Sequence, residues 1–247
     1  MMIRKLIFII VLVSFAFTTA YSGDSQSADI EAATVDKCEG KVRLHAGGSV
    51  RGEDSYIGHT IFIGDTLRTG RKSTAAAITI DNSKVVLMER SSVEFLELKE
   101  VAPGEGKVIF DIEKQESAKG MQVKLMTTVI GVKGTQFMVD LGNASDTDTG
   151  EMPPCRIYLR EGELEFTSLE GEFRRYVQEE MAAFKKFVDE EMSEFEAFKK
   201  EFQGEKVEHV KSFDLKAGEA VSIDGKDVRN IKFSEDAEEA FRMLDEL

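Results

Sequence analysis

From Val35 to Phe166 apolar residues recur at alternate positions in short runs, and Gly, Asn, Asp or Ser ends each run. Successive side chains on a strand point to opposite faces, so such runs are strands that give one face to a core. In TQFMVDL (Thr135 to Leu141), Phe137, Val139 and Leu141 share a face. The segment AAAITIDNSKVVLM (Ala75 to Met88) holds two apolar runs around Asp81-Asn82-Ser83, which predicts a hairpin. Further runs are SVEFLEL, KVIFDI, MQVKLM, RIYLR and ELEF, the last ending at Phe166. Many short strands at this spacing predict a mainly β fold, a sandwich, barrel or roll.

The period then changes. Phe173, Val177, Met181, Phe184, Phe187, Val188, Met192, Phe195, Phe198 and Phe202 follow one another at helical spacings, and neither Gly nor Pro occurs between Glu172 and Gln203. This predicts one long amphipathic helix over 172–204, with Gly204 at its C-cap and a length of about 48 Å. Within it EEMAAFKKFVD is followed by EEMSEFEAFKK, an eleven-residue repeat that keeps Met181 in register with Met192 and Phe184 with Phe195. The Phe/Met stripe can lie on its own β-domain or form a coiled coil with a second copy or another protein. A membrane surface is the third choice, and the mixed charges of the polar face argue against it. Strand alternation returns in HVKSFDLKAGEAVSID (His209 to Asp224), so the helix is an insertion; Ser234 then caps a short C-terminal helix.

The first 22 residues read as a signal peptide: a basic head, the apolar run LIFIIVLVSFAF, then small residues that suit cleavage after Ala20 or Ser22. An uncleaved anchor is the alternative, and the only route to a membrane, although a span wants roughly 20 apolar residues. Export is therefore expected, to a periplasmic or otherwise extracytoplasmic place, with 23–35 as a flexible leader. A net charge of −14 repels phosphate backbones, which makes nucleic acid an unsuitable partner. In an oxidising compartment Cys38 and Cys155 have one possible pairing; the other reading is two free thiols.

The residues offer no catalytic set and call for no cofactor or metal. His45, His59 and His209 stand in no metal-ligand spacing, and no Gly-x-Ser-x-Gly turn, P-loop or dinucleotide fingerprint occurs. The loop NASDTDTGEMPPC (Asn143 to Cys155) pairs Asp146 with Asp148, but its spacing departs from an EF-hand and reads as an acidic hairpin tip.

Four segments, in order, resemble a known family. GDTLRTGRKSTAAAITIDNSKVVLMERSSVEFLEL (Gly64 to Leu98) resembles the core of the FecR domain, named for the iron-dicitrate sensors of bacterial cell envelopes. TTVIGVKGTQFMVD (Thr127 to Asp140), YLREGELEF (Tyr158 to Phe166) and LKAGEAVSID (Leu215 to Asp224) resemble the three signatures that follow. Gly64, Gly70, Gly131, Gly134, Gly162 and Gly218 fall at expected tight turns, with Asp65, Arg68 and Thr69 in the first motif and Thr135 in the second. Asp65, Thr66 and Thr135 are expected to bond turn amides through their side chains.

The resemblance implies a FecR-like roll or sandwich of antiparallel strands at 36–171 and 205–226, split by the helix and followed by a C-terminal segment, 227–247. Well-known members place a cytoplasmic sigma-factor-binding segment and a membrane helix before this domain; here a signal peptide stands in their place. What it implies is a non-enzymatic, exported interaction or sensing module. The alternative is a periplasmic receptor for a small ligand or metal chelate, related to iron-transport signalling.

Overall fold

The structure is a computed structural model that describes residues 30–114, 120–143, 153–178 and 205–245. Most of them are in strands, and the strands form two sheets that share one member.

In spatial order the first sheet, counted over the described residues, runs β4 (Thr60–Phe62), β1 (Glu31–Glu39), β6 (Thr74–Thr79), β7 (Lys84–Leu87), β9 (Glu100–Asp111) and β12 (Gln136–Gly142). It continues through β13 (Cys155–Glu161), β18 (Ala220–Asp224), β19 (Asp227–Ile231), β15 (Phe173–Gln178) and β16 (Glu205–Val210). The second runs β3 (Glu53–Asp54), β2 (Val42–His45), β5 (Thr66–Thr69), β8 (Ser92–Glu97), β9 again, β10 (Met121–Leu125), β11 (Thr128–Val132), β14 (Glu163–Ser168) and β17 (Ser212–Lys216). Pairing is antiparallel except for β9 with β10 and β15 with β19.

β9 is shared because it crosses between the sheets. Glu100 to Glu105 pair with β8, and Gly106 to Asp111 with β7 and β12. The crossing is at Gly106, whose φ is +73° and whose missing Cβ would collide with Arg90 O and the Ser91 side chain. Only glycine fits there. Alternation in the sequence marks only KVIFDI of this strand; Pro103 and Gly104 interrupt a regular strand but suit one that changes sheets.

Two apolar layers hold the molecule together. Between the sheets Phe110, Phe137, Val139 and Ile157 of the first meet Phe95, Val123, Ile130 and Phe166 of the second. On the outer face, Ala76, Val86, Ile109, Met138, Tyr158 and Ala220 form a stripe, one residue from each of six adjacent strands. Helix α1 (Glu235–Asp245) covers it with Ala237, Ala240, Phe241 and Leu244. Ser234 Oγ accepts from Ala237 N at 3.2 Å, the expected N-cap. The hairpin around Asn82 also forms, with Ala75 opposite Leu87 and Asn82 at φ +65°.

Several expectations are corrected. Residues 31–35 are not leader but the start of β1, with Ala32, Ala33 and Val35 buried. The long helix does not begin at Glu172, because Phe173 to Gln178 are strand, held between β16 and β19. Six residues with apolar positions at 173, 176 and 177 fit either period, and the two neighbouring strands decide it. Phe173 is a core residue at 1% exposure, packed edge-on to Phe213, rather than part of an interaction stripe. Val177 lies on the same strand. Gln178 pairs with Glu205, whereas a single straight helix from 172 to 203 would set its ends about 48 Å apart. The remaining stripe residues, Met181, Phe184, Phe187, Val188, Met192, Phe195, Phe198 and Phe202, lie outside the described residues, as do Asp146 and Asp148.

Cys38 and Cys155 are both free thiols. They stand on β1 and β13, five strands apart in the first sheet, and neighbouring strands are about 4.8 Å apart, so a bridge cannot reach.

Candidate functional site

The motif residues of the first signature hold backbone. Asp65, 6% exposed, accepts from Phe62 N at 2.9 Å and Gly47 N at 3.2 Å, as expected of a turn carboxylate. Thr69 Oγ1 donates to Met88 O at 2.5 Å and accepts from Ser91 N at 2.9 Å. Ser91 Oγ in turn donates to Lys107 O and accepts from Lys107 N at 2.9 Å, beside the Gly106 crossing. Gly70 N donates to Lys41 O at 2.9 Å, and Arg68 forms an exposed ion pair with Glu105 at 2.9 Å. These residues lock β5, β8 and β9 together.

The second and third signatures touch each other. Gly162, at φ +90°, sits so close to Gly134 O and the Thr135 side chain that no Cβ fits. Gly64, Gly134 and Gly218 also have positive φ, as turns require. Gly131 does not mark a turn: it is in the middle of β11, opposite Gln122 and Glu165. Thr135 is buried at 2% exposure and its Oγ1 has no partner, so it does not bond a turn amide.

Two clefts open on the first sheet. The larger, about 530 Å³, lies beside α1 and is lined in part by Lys107, Asp140, Arg156, Asp236, Glu239 and Met243. Register places Lys107, Asp140 and Arg156 side by side on β9, β12 and β13. Asp140 is 4% exposed, accepts from Gly142 N at 2.9 Å and pairs with Arg156 at 3.1 Å; Lys107 reaches Asp236 of α1 at 3.2 Å. The Asp140–Arg156 and Lys107–Asp236 pairs place groups of both signs at the cleft. The smaller cleft, about 430 Å³, is lined by Lys84, Asp111, Lys114, Thr135, Gln136 and Glu161 among others, with Gln136 Nε2 donating to Asp111 at 3.1 Å.

Asp140 was missed in the sequence. Alternation assigns it to the solvent face of TQFMVDL, and only the cross-strand register sets it between two bases under a helix. The histidines are dispersed: His45 faces Ser49 O at 3.3 Å, His59 faces Glu53 at 3.2 Å, and His209 is on β16. Among the described residues no three of His, Cys, Asp and Glu group as metal ligands.

Residues 65–152 match the model of the family described as FecR protein. Over that stretch the chain is similar to a FecR domain. The match starts at the buried Asp65 clamp and takes in the Gly106 crossing and the second signature. FecR proteins are associated with the cell envelope, and among the described residues no helix is long and apolar enough to cross a membrane. Curated proteins yield no match to the chain. Two crystal structures of a candidate anti-sigma factor from Parabacteroides distasonis are similar at 14% identity, with TM-scores of 0.45 and 0.43. Each alignment covers 72% of this chain, and the chain spans 64% and 63% of those proteins.

Proposed function

We propose that this FecR-domain chain is an exported, non-enzymatic signalling module of a bacterial cell envelope, which recognises a protein partner or a second copy through the Phe-rich repeat of residues 179–204. The FecR domain at residues 65–152 carries the signalling reading. The repeat is assigned the contact because of its sequence pattern and its place: β15 and β16 pair from Phe173 with Val210 up to Gln178 with Glu205, so both ends of the segment leave the fold at one point. Light scattering and affinity capture from envelope fractions test this, comparing the wild-type chain with Phe184, Phe187, Phe195 and Phe198 all changed to Ala. Loss of a specific captured protein, or of self-association, supports the assignment. Unchanged mass and unchanged capture would remove it.

A second reading, a receptor for a small charged ligand or metal chelate, is favoured by the cleft beside α1, where the buried Asp140 pairs with the half-exposed Arg156. Thermal shift with ferric chelates and calcium addresses it: bound ligand raises the melting temperature in proportion to the logarithm of its concentration. No shift with the wild-type chain, or an equal shift in Arg156→Ala, would set it aside.

A further inference from the structure

Sheet edges expose unpaired backbone groups, and among the described residues two of the four edges are short. β4 has three residues and β3 two. β16 has six, without a register break against β15, and among the described residues β15 is its sole strand neighbour. It contains no Pro, and Val207 on it is 42% exposed. Long, regular edges of this kind pair with further strands unless something opposes it.

We propose that β16 is a self-pairing edge, which joins two copies of this chain antiparallel about a two-fold axis through Val207. The register decides the partner. With Val207 opposite Val207 of the second copy, Lys206 falls opposite Glu208, and by symmetry Glu208 opposite Lys206. Cross-strand neighbours of opposite charge stabilise an antiparallel pair and like charges destabilise it. Lys206 and Glu208 are half exposed and pair with each other at 3.2 Å within the strand, so both already project on one face with their charges presented. Moving the axis to Glu208 would oppose two glutamates. An interface with a single copy of the same strand is isologous and closed, so it yields dimers rather than fibres.

Two six-residue strands bury less than about 1,000 Å², the range of concentration-dependent contacts. The dimer is therefore sought by sedimentation equilibrium of the purified chain from about 10 µM upwards, where the mass rises towards twice 27.5 kDa. Lys206→Glu makes all four facing groups acidic, and Glu208→Lys makes them basic; each weakens dimerisation about tenfold. The double reversal, Lys206→Glu with Glu208→Lys, restores opposite charges and the wild-type dissociation constant. The four-fold Phe→Ala change in the repeat leaves the dimer intact, which separates this contact from the one proposed above. A wild-type chain that stays monomeric to about 1 mM, single reversals that dimerise as well as wild type, or a double reversal that stays monomeric would each overturn the proposal.

Discussion

The inner face of the first sheet meets a whole second sheet, with Phe110 and Phe137 stacked at 4.8 Å, whereas the outer face meets eleven residues of α1 seated against Ala76 and Ala220. Both faces are buried, yet their covers differ in how they can fail. The inner layer is tied in by backbone ladders on both sides and opens only when the sandwich does. The outer layer hangs on Phe241, Leu244 and two ion pairs, Lys107 with Asp236 and Arg160 with Asp245, and can open by itself. Charge is admitted beside the outer layer for the same reason: a short helix leaves room next to it for Asp140, Arg156 and the larger cleft.

The strongest test of that contrast is Phe137→Ala. The ring is fully buried, and its loss costs about 3 to 5 kcal/mol, read as an equal shift of chemical unfolding by every probe. Phe241→Ala is smaller, about 2 to 3 kcal/mol, because α1 can detach and cap the loss. Hydrogen exchange then rises in α1 while the amides of β9 and β12 remain protected. Equal, global effects of the two changes would show that the layers are one cooperative unit.

The two thiols sharpen the comparison within the first sheet. Burial, then the nearby Asp140 carboxylate, pushes the Cys155 thiol up to about 12, while Cys38 is raised by its burial alone. A thiol whose value is higher folded than unfolded adds stability that is fully present below the unfolded value. For Cys155 that stability is lost as pH climbs from about 9 towards about 12. Cys155→Ser removes this alkaline slope, and alkylation at pH 8 labels Cys38 first and Cys155 only on unfolding. Equal labelling of both thiols in the native chain would contradict the burial.

The smallest effect is expected at the end of α1. Arg160 donates two hydrogen bonds of 2.9 Å to Asp245 and lowers its carboxyl below the usual range. A lowered carboxyl contributes above its unfolded value and ceases to as pH falls through the folded one. Asp245→Asn should therefore fray the last turn of α1 at neutral pH, remove its acid dependence and leave the sandwich unchanged, as hydrogen exchange at pH 3 and pH 7 would show.

Strand content and the Asp81 to Ser83 hairpin were legible because alternation and turn residues act over a few neighbours. So was the Ser234 cap. The FecR resemblance was legible for a related reason: its Gly and Asp positions answer to local backbone demands, as Asp65 and Gly162 do. Phe173 to Gln178 were misread since three apolar residues in six satisfy two periods equally. Asp140 went unseen because its partner Arg156 is brought beside it by cross-strand register, which nothing within TQFMVDL specifies.

By itself the sequence determined a mainly β chain with a short capped helix after it, through side-chain alternation and turn chemistry. Tertiary structure decided that β9 belongs to two sheets, that Cys38 and Cys155 stand five strands apart, and that β16 ends a sheet among the described residues. Each of those depends on which distant strands become neighbours, and long-range hydrogen-bond register has no signature within any one segment.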